Sequence, residues 1–313
     1  MEVAWKDIVS IKINQQRKFR ALSPRKAVKK DNLALYSGLV LRICSVPTLP
    51  KFIMLLFKIW RYTVIRLMKL FGNLLKPLFY LHLMLFPKKR FVVPRLAAPL
   101  VKAKNAQAPS IVWFTNYTDR VTLAVYVNYL WNRLLAYRCE VRLSLDDECA
   151  EFIQTHFSGA IFEAYSKLQI GAAKADFWRI LAIYQHGGMY ADMDTALCWP
   201  VHRLMAIANP ELILRGSDGR LTNYCFAAQE AGNPLLHTIA MQILRNIQEN
   251  TLKSVYDMTG PTVFEHLADK PEVNIMDSRW VARQGLLTSK KLQYPDKLRG
   301  YWVQDQQEKS ILK

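Results

Sequence analysis

Cysteine is scarce and scattered in this chain. The five residues, Cys44, Cys139, Cys149, Cys198 and Cys225, are odd in number and widely spaced, and no C-x-x-C pair occurs. Neither a disulfide framework nor a zinc site is expected, and reduced thiols fit a cytoplasmic setting. Acidic residues are almost missing from the front third: residues 1–104 hold Glu2, Asp7 and Asp31 against 22 lysines and arginines. Long charge-free runs are missing too. Between residues 51 and 86 the longest begins at Pro77 and ends at Pro87, too short for the roughly 20 apolar residues that span a bilayer. The opening MEVAWKDIVS mixes charged and apolar residues with no apolar run leading to a small-residue cleavage site, so no secretory signal is expected. Internal repeats and low-complexity tracts are absent as well.

What is present is enough apolar material for a large core: 313 residues, 51% hydrophobic and 12% aromatic. The net charge of +18 sits in the front third, and the remainder is close to neutral. A basic arm on a neutral body suggests attraction to a polyanion, either membrane lipid or nucleic acid. Residues 1–50 are basic and irregular, broken by Pro24, Pro47 and Pro50. Residues 51–93 contain one or two amphipathic helices. Lys51, Lys58, Lys69 and Lys76 fall within about 20° of one another on a helical wheel, and most of the remaining surface is apolar. Such a helix either lies in a membrane interface with its basic stripe toward anionic headgroups, joined by Lys88-Lys89-Arg90, or packs on the protein's own core with a solvated basic face. The width of the apolar arc favours the membrane. Nucleic acid has no need of so long an aliphatic face, so none is expected as a partner. Residues 94–109, with three prolines and no acid, read as a linker.

From residue 110 to 313 the pattern is that of one α/β domain. Strand-like runs at 111–114, 141–145, 189–196, 211–215 and 225–229 alternate with helical stretches at 119–136, 171–186 and 233–249. Alternation of this kind implies a mainly parallel, doubly wound sheet.

The chemistry concentrates between Gly171 and Pro200, GAAKADFWRILAIYQHGGMYADMDTALCWP. Asp176 and Arg179 are three apart in an otherwise apolar helix and share a face. Charges there are costly unless paired or used, and an ordinary structural ion pair is the simpler reading of these two alone. The helix closes at Gly187-Gly188, and the following strand runs into Asp192-Met193-Asp194. The period of two places both carboxylates on one side. Adjacent carboxylates at the carboxyl end of a strand repel unless a cation neutralises them, and hard oxygen donors suit Mn²⁺ or Mg²⁺.

A bare D-x-D is common. The composite D-x-x-R followed by G-G-x-Y-x-D-x-D, on a helix–turn–strand, is far more restrictive. It resembles the DXD-motif sugar-binding-region family of glycosyltransferases (glycosyltransferase family 32-like), which includes α-mannosyltransferases and capsular and lipopolysaccharide transferases. More distantly it is similar to the clostridial glucosylating toxins. The resemblance covers about residues 109–265 and implies a glycosyltransferase A-type α/β fold. It implies that Asp176 contacts donor-sugar hydroxyls, that Arg179 helps hold sugar and diphosphate, and that Tyr190 lies near the nucleotide. Asp192 would touch ribose and metal, and Asp194 would be the direct metal ligand. Trp113 would stack on the base, with core packing as the alternative. Asn223 would orient the reacting sugar or acceptor, unless it only satisfies a turn, and Gly260-Pro261 would shape the pocket floor. The sequence departs from the family pattern at Ser110-Ile111-Val112, at Ala175 and at Gly300-Tyr301-Trp302.

The expectation is therefore a metal-dependent, retaining hexosyltransferase, with a UDP- or GDP-hexose donor and a glycan or lipid-linked acceptor. Surface polysaccharide or lipopolysaccharide synthesis at the cytoplasmic face of the plasma membrane is its natural setting. The rival readings are a basic membrane- or nucleic-acid-binding protein and a catalytically dead scaffold.

Overall fold

The computed structural model describes residues 51–101, 110–267, 270–295 and 302–313, with side chains from residue 62 onward. The basic region 1–50, residues 102–109 of the expected linker, and Gly300-Tyr301 lie outside it.

Helix α1 (Lys51–Leu85) is one continuous helix. After it come β1 (Phe91–Val92), β2 (Leu96–Ala97), β3 (Ile111–Thr115), β4 (Arg120–Val121), α2 (Leu123–Leu135) and β5 (Glu140–Ser144). Next follow α3 (Asp146–His156), α4 (Ala160–Lys167), α5 (Gly171–His186), β6 (Gly188–Ala191), β7 (Thr195–Leu197) and α6 (Val201–Ile207). The chain continues through β8 (Glu211–Arg215), β9 (Leu221–Ala228), α7 (Pro234–Glu249), α8 (Val255–Met258) and α9 (Thr262–Glu265). It closes with β10 (Ile275–Asp277), β11 (Ala282–Gln284), α10 (Lys290–Gln293) and α11 (Trp302–Glu308).

The central sheet has the order β10-β8-β9-β6-β3-β5-β2. Strands β5 and β6 run parallel to β3, and β10 runs parallel to β8. Strand β9 is antiparallel to both β6 and β8, and β2 is antiparallel to β5. Five of the seven strands thus point one way, so the sheet is mainly parallel as expected, with β9 inserted against the grain. This reversal has a consequence for the site. The carboxyl end of β6 lies beside the amino end of β9, so Asp192 and Asn223 meet at one sheet edge.

Helix α5 is hydrophobic nearly all round, and the run from Asp176 to Tyr184 is buried. It packs against the sheet through Trp178, which contacts Trp113 and Tyr190 edge-on. Phe226 and Phe264 extend this aromatic layer. The opposite face of the sheet is aliphatic, with Val112, Phe114, Val141, Leu143, Met189, Ala191 and Leu212 buried against α2 and α6. Helix and strand join at Gly188, whose φ is +99° and where a Cβ would sit 2.4 Å from the Ile111 carbonyl oxygen. Only glycine meets both conditions, which is the physical reason for the Gly-Gly ahead of the motif.

Two expectations about the front of the chain change. Leu96 and Ala97 belong to the central sheet as its edge strand, paired with Arg142 and Val141, because the Arg95 backbone and side chain also bind Leu143 and Glu148. Helix α1 docks on the domain through Leu75, Phe79 and Leu83, packed with Ala124, Leu287 and Leu292. The basic stripe does not define its outward side. Lys76 lies about 40° from the buried Gly72 and turns inward. Leu67, Leu70, Leu74, Leu78, Leu81 and Met84 are exposed instead, within an arc of about 120°. Lys51 and Lys58 precede the described side chains. No described helix is long and apolar enough to cross a membrane.

Candidate functional site

The site is assembled around Arg179, one turn along α5 from Asp176. Arg179 Nη2 lies 3.2 Å from Asp176 Oδ1, and Nη1 lies 3.1 Å from Asp192 Oδ1. Nη1 also donates to the Asn223 carbonyl at 2.9 Å, and Nε donates to the Ala175 carbonyl at 3.2 Å. The guanidinium carbon stands 4.5 Å above the Tyr190 ring. With its donors occupied and its face covered, Arg179 has one orientation, which the planar fork of arginine makes possible. Burial works to lower its basicity, but Asp192 above all, then Tyr190 and Asp176, hold it higher than an ordinary arginine.

Asp176 is buried and accepts from Asn223 Nδ2 at 2.8 Å and from Thr259 Oγ1 at 3.2 Å. Burial pushes its carboxyl up to about 7 against the opposing pull of Arg179, Thr259 and Asn223. Tyr190, fully buried, donates its hydroxyl to Asp192 Oδ1 at 2.6 Å. Asp176, Arg179, Tyr190, Asp192 and Asn223 therefore form one connected cluster drawn from α5, β6 and β9.

Asp194 joins that cluster by a route that the strand period did not anticipate. Strand β6 stops at Ala191, and residues 193–194 are a turn closed by Thr195 N–H donating to the Asp192 carbonyl at 2.9 Å. The two carboxylates converge because the chain turns between them, not because a strand projects them to one side. Their convergence is marked by Gln284, whose Nε2 is 3.4 Å from Asp192 Oδ2 and 3.3 Å from Asp194 Oδ1. Burial and the Asp192 charge push the Asp194 carboxyl up to about 7.

The turn is anchored from beneath by two asparagines of α2. Asn128 Nδ2 donates to the Met193 and Thr195 carbonyls, both at 2.9 Å. Asn132 Nδ2 donates to the Thr195 carbonyl at 2.7 Å, and its Oδ1 accepts from Leu197 N–H at 2.9 Å. Both side chains are buried. Sequence reasoning missed them, along with Thr259 and Gln284. The spacing of Asn128 and Asn132, four apart in an apolar helix, is the signal that could have found the pair.

Trp113 stands apart from the cluster. The residue is 3% exposed, donates Nε1–H to the Gly187 carbonyl and stacks on His186, with the Arg142 guanidinium 5.2 Å from its ring centroid. It fills the core at the amino end of β6 and is too buried to stack on a base. Tyr294 is nearer the chemistry. Burial and the charges of Asp194 and Asp192 raise its hydroxyl pKa, and its ring tilts against Tyr117.

The donor set suits a divalent cation. Two carboxylates converge, and an amide lies within 3.4 Å of both, where a cation would neutralise them. Asp192 and Asp194, both within reach of the Gln284 amide, are the carboxylates that would hold it.

A carboxylate pair in a turn at the carboxyl end of a sheet strand, backed by a clamped arginine, defines a D-x-D site on a mixed α/β fold. Residues 102–211 match the family described as the glycosyltransferase sugar-binding region containing a DXD motif. Proteins of this family generally bind a divalent metal. The chain is similar to an uncharacterized glycosyltransferase, L373, of Acanthamoeba polyphaga mimivirus. The two share 25% identity over 158 residues, which is 48% of this chain and 62% of that relative. Among solved structures it is similar to the PaToxG glycosyltransferase, at 12% identity, with 67% of this chain and 78% of that one covered. The TM-score of 0.36 is too low to carry structural weight.

Proposed function

We propose that this chain transfers a hexose, with retention, from a nucleotide diphosphate sugar to a glycan or lipid-linked acceptor. The observation that carries the reading is the Asp176–Arg179–Asp192 bridge. It ties a buried carboxylate with two neutral hydrogen-bond partners to one half of a metal-binding pair. Asp192 and Asp194 would hold Mn²⁺ or Mg²⁺. A bound cation of that kind neutralises the diphosphate as it departs. Asp176 would accept from donor-sugar hydroxyls, and Arg179 would keep Asp176 and Asp192 in register. Asn223 would orient the sugar or acceptor through the amide it now gives to Asp176. A retaining same-face displacement needs no side-chain nucleophile, because the acceptor oxygen attacks from the face the diphosphate leaves, and no side-chain base, because the departing diphosphate takes the acceptor's proton.

The same reading places the protein on the cytoplasmic leaflet of the plasma membrane, in surface polysaccharide or lipopolysaccharide synthesis, where soluble sugar donors meet lipid-linked acceptors. What supports it is the outward leucine face of α1. A contiguous exposed apolar surface of this kind is unusual on a soluble monomer and suits an interface.

The test is a panel of UDP- and GDP-hexoses with Mn²⁺ or Mg²⁺, read as nucleotide release with and without glycan acceptors. Release from one donor, abolished by chelator, is the expected result. Absence of release from every donor, under conditions where the protein is folded, would defeat the proposal.

A further inference from the structure

The chain that leaves β11 touches both helix α1 and the DXD turn. Gln284 pairs with Thr195 across β11 and β7, and Gly285 N–H donates to the Asp194 carbonyl at 2.9 Å. The backbone of this segment is thereby fastened to the turn that Asn128 and Asn132 also hold. The next residues meet α1. Lys76 Nζ donates to the Gly285 carbonyl at 2.9 Å, and the Tyr80 and Ser289 hydroxyls lie 2.7 Å apart. At Gly72 an added Cβ would fall 2.5 Å from the Leu286 carbonyl oxygen. Positions 72, 76 and 80 are successive turns of one helical face, so α1 presents a continuous seat to residues 285–289.

We infer that Gln284 is a third protein donor to the cation held by Asp192 and Asp194, and that α1 sets its position through Gly72 and Lys76. The inference rests on the metal-dependent reading above and assigns roles outside the DXD turn. Two aspartates alone supply few of the oxygens that a hard cation takes, and glutamine carbonyls are ordinary ligands for such ions. The amide presents its nitrogen to both carboxylates. A half-turn of the same amide presents its oxygen at the same place. The amide is exposed at the rim, so it can turn without repacking the core.

The experiment is a Mn²⁺ titration of the full chain, followed by the electron paramagnetic resonance signal of the free ion, with no sugar donor present. Gln284→Ala is expected to weaken binding by about ten- to a hundredfold. Gln284→Glu is expected to restore it to at least the wild-type level. A residue that only donated hydrogen bonds to the two aspartates would behave oppositely, because a third carboxylate would repel them. Lys76→Met and Gly72→Ala, remote from the ion, should each weaken binding by on the order of tenfold while the circular dichroism spectrum stays native. Wild-type affinity in Gln284→Ala, or weaker binding in Gln284→Glu than in Gln284→Ala, overturns the assignment of the donor. Wild-type affinity in both α1 variants overturns the role of the helix. Absence of Mn²⁺ uptake by the wild type removes this inference together with the metal-dependent reading, whereas uptake undiminished in Gln284→Ala removes this inference alone.

Discussion

Arg179 Nη1 stands 3.1 Å from Asp192 Oδ1, so a guanidinium rooted in helix α5 fixes the first carboxylate of a turn that lies beyond the end of β6. The contact joins two neighbouring pieces of sequence that a Gly-Gly corner separates. It also explains why a charged residue persists in so apolar a helix. Its charge is balanced on two sides and its ring-facing surface is covered by Tyr190.

Removing that guanidinium should therefore harm the fold as well as the activity. Arg179→Met leaves Asp176 and Asp192 without their cationic partner in a buried setting, at a cost of about 3–5 kcal/mol. Chemical denaturation should show the loss directly. Arg179→Lys should recover little, because one ammonium cannot make the four contacts of the fork. Stability near wild type in Arg179→Lys would contradict this geometry.

The carboxylates of the turn should behave differently. Asp194→Ala and Asp192→Ala are expected to lower nucleotide release from the accepted donor by at least about a hundredfold, the circular dichroism spectrum staying native in Asp194→Ala whereas Asp192→Ala also loses stability with its Arg179 and Tyr190 contacts. Asp194 is only half-buried. Undiminished turnover in either variant would remove both from the site.

Acid should favour the metal-free protein relative to a variant that lacks this titration. Asp194 is raised from its ordinary 3.8 to about 7 by burial and by Asp192. Between those values the folded chain keeps a proton that the unfolded chain has released, so this contribution to stability is lost as pH rises toward 7. In chelator, the melting temperature of the wild type should therefore fall relative to Asp194→Asn between about pH 4 and pH 7. Mn²⁺ should cancel the fall near neutrality by taking the proton's place. A difference between the two proteins that does not vary with pH would be the wrong outcome.

Asn132 holds the turn by both ends of its amide, accepting from Leu197 and donating to Thr195. Asn132→Leu takes the acceptor from the Leu197 N–H, while the Thr195 carbonyl keeps Asn128, and should cost about 1–3 kcal/mol. Mn²⁺ affinity should fall as well, since the turn that carries Asp194 is no longer anchored. Full metal affinity in a destabilised variant would confine Asn132 to a folding role.

Membrane docking through α1 predicts that the full chain floats with anionic liposomes. Replacing Leu74 and Leu78 together with serine should abolish flotation while nucleotide release from a soluble donor persists. Both side chains are exposed, so the double change should leave the fold intact. Flotation by the double variant equal to wild type would exclude this face as the docking surface.

Some of this was legible in the residues alone. The helix over 171–186, its closure at Gly187-Gly188, the strand at 211–215 and the mainly parallel sheet follow from apolar periodicity and from glycine's freedom at positive φ, which are local properties. So does the pairing of Asp176 with Arg179, which needs only the pitch of a helix. The convergence of Asp192 and Asp194 was expected, but from a strand that in fact stops short. It takes a turn, and two asparagines of α2 more than 60 residues earlier in the chain, to hold the carboxylates together. Local sequence also could not say that β9 runs against its neighbours, which brings Asn223 to Asp176, nor that Thr259 and Gln284 arrive from the far end of the chain. The orientation of α1 was open for the same reason. A wheel shows which side chains share a face, but only the surface of α2 and the segment after β11 decided that Phe79 and Lys76 point inward and the leucines outward. Periodicity is written into a segment, whereas contacts between distant segments depend on the packing of the whole core.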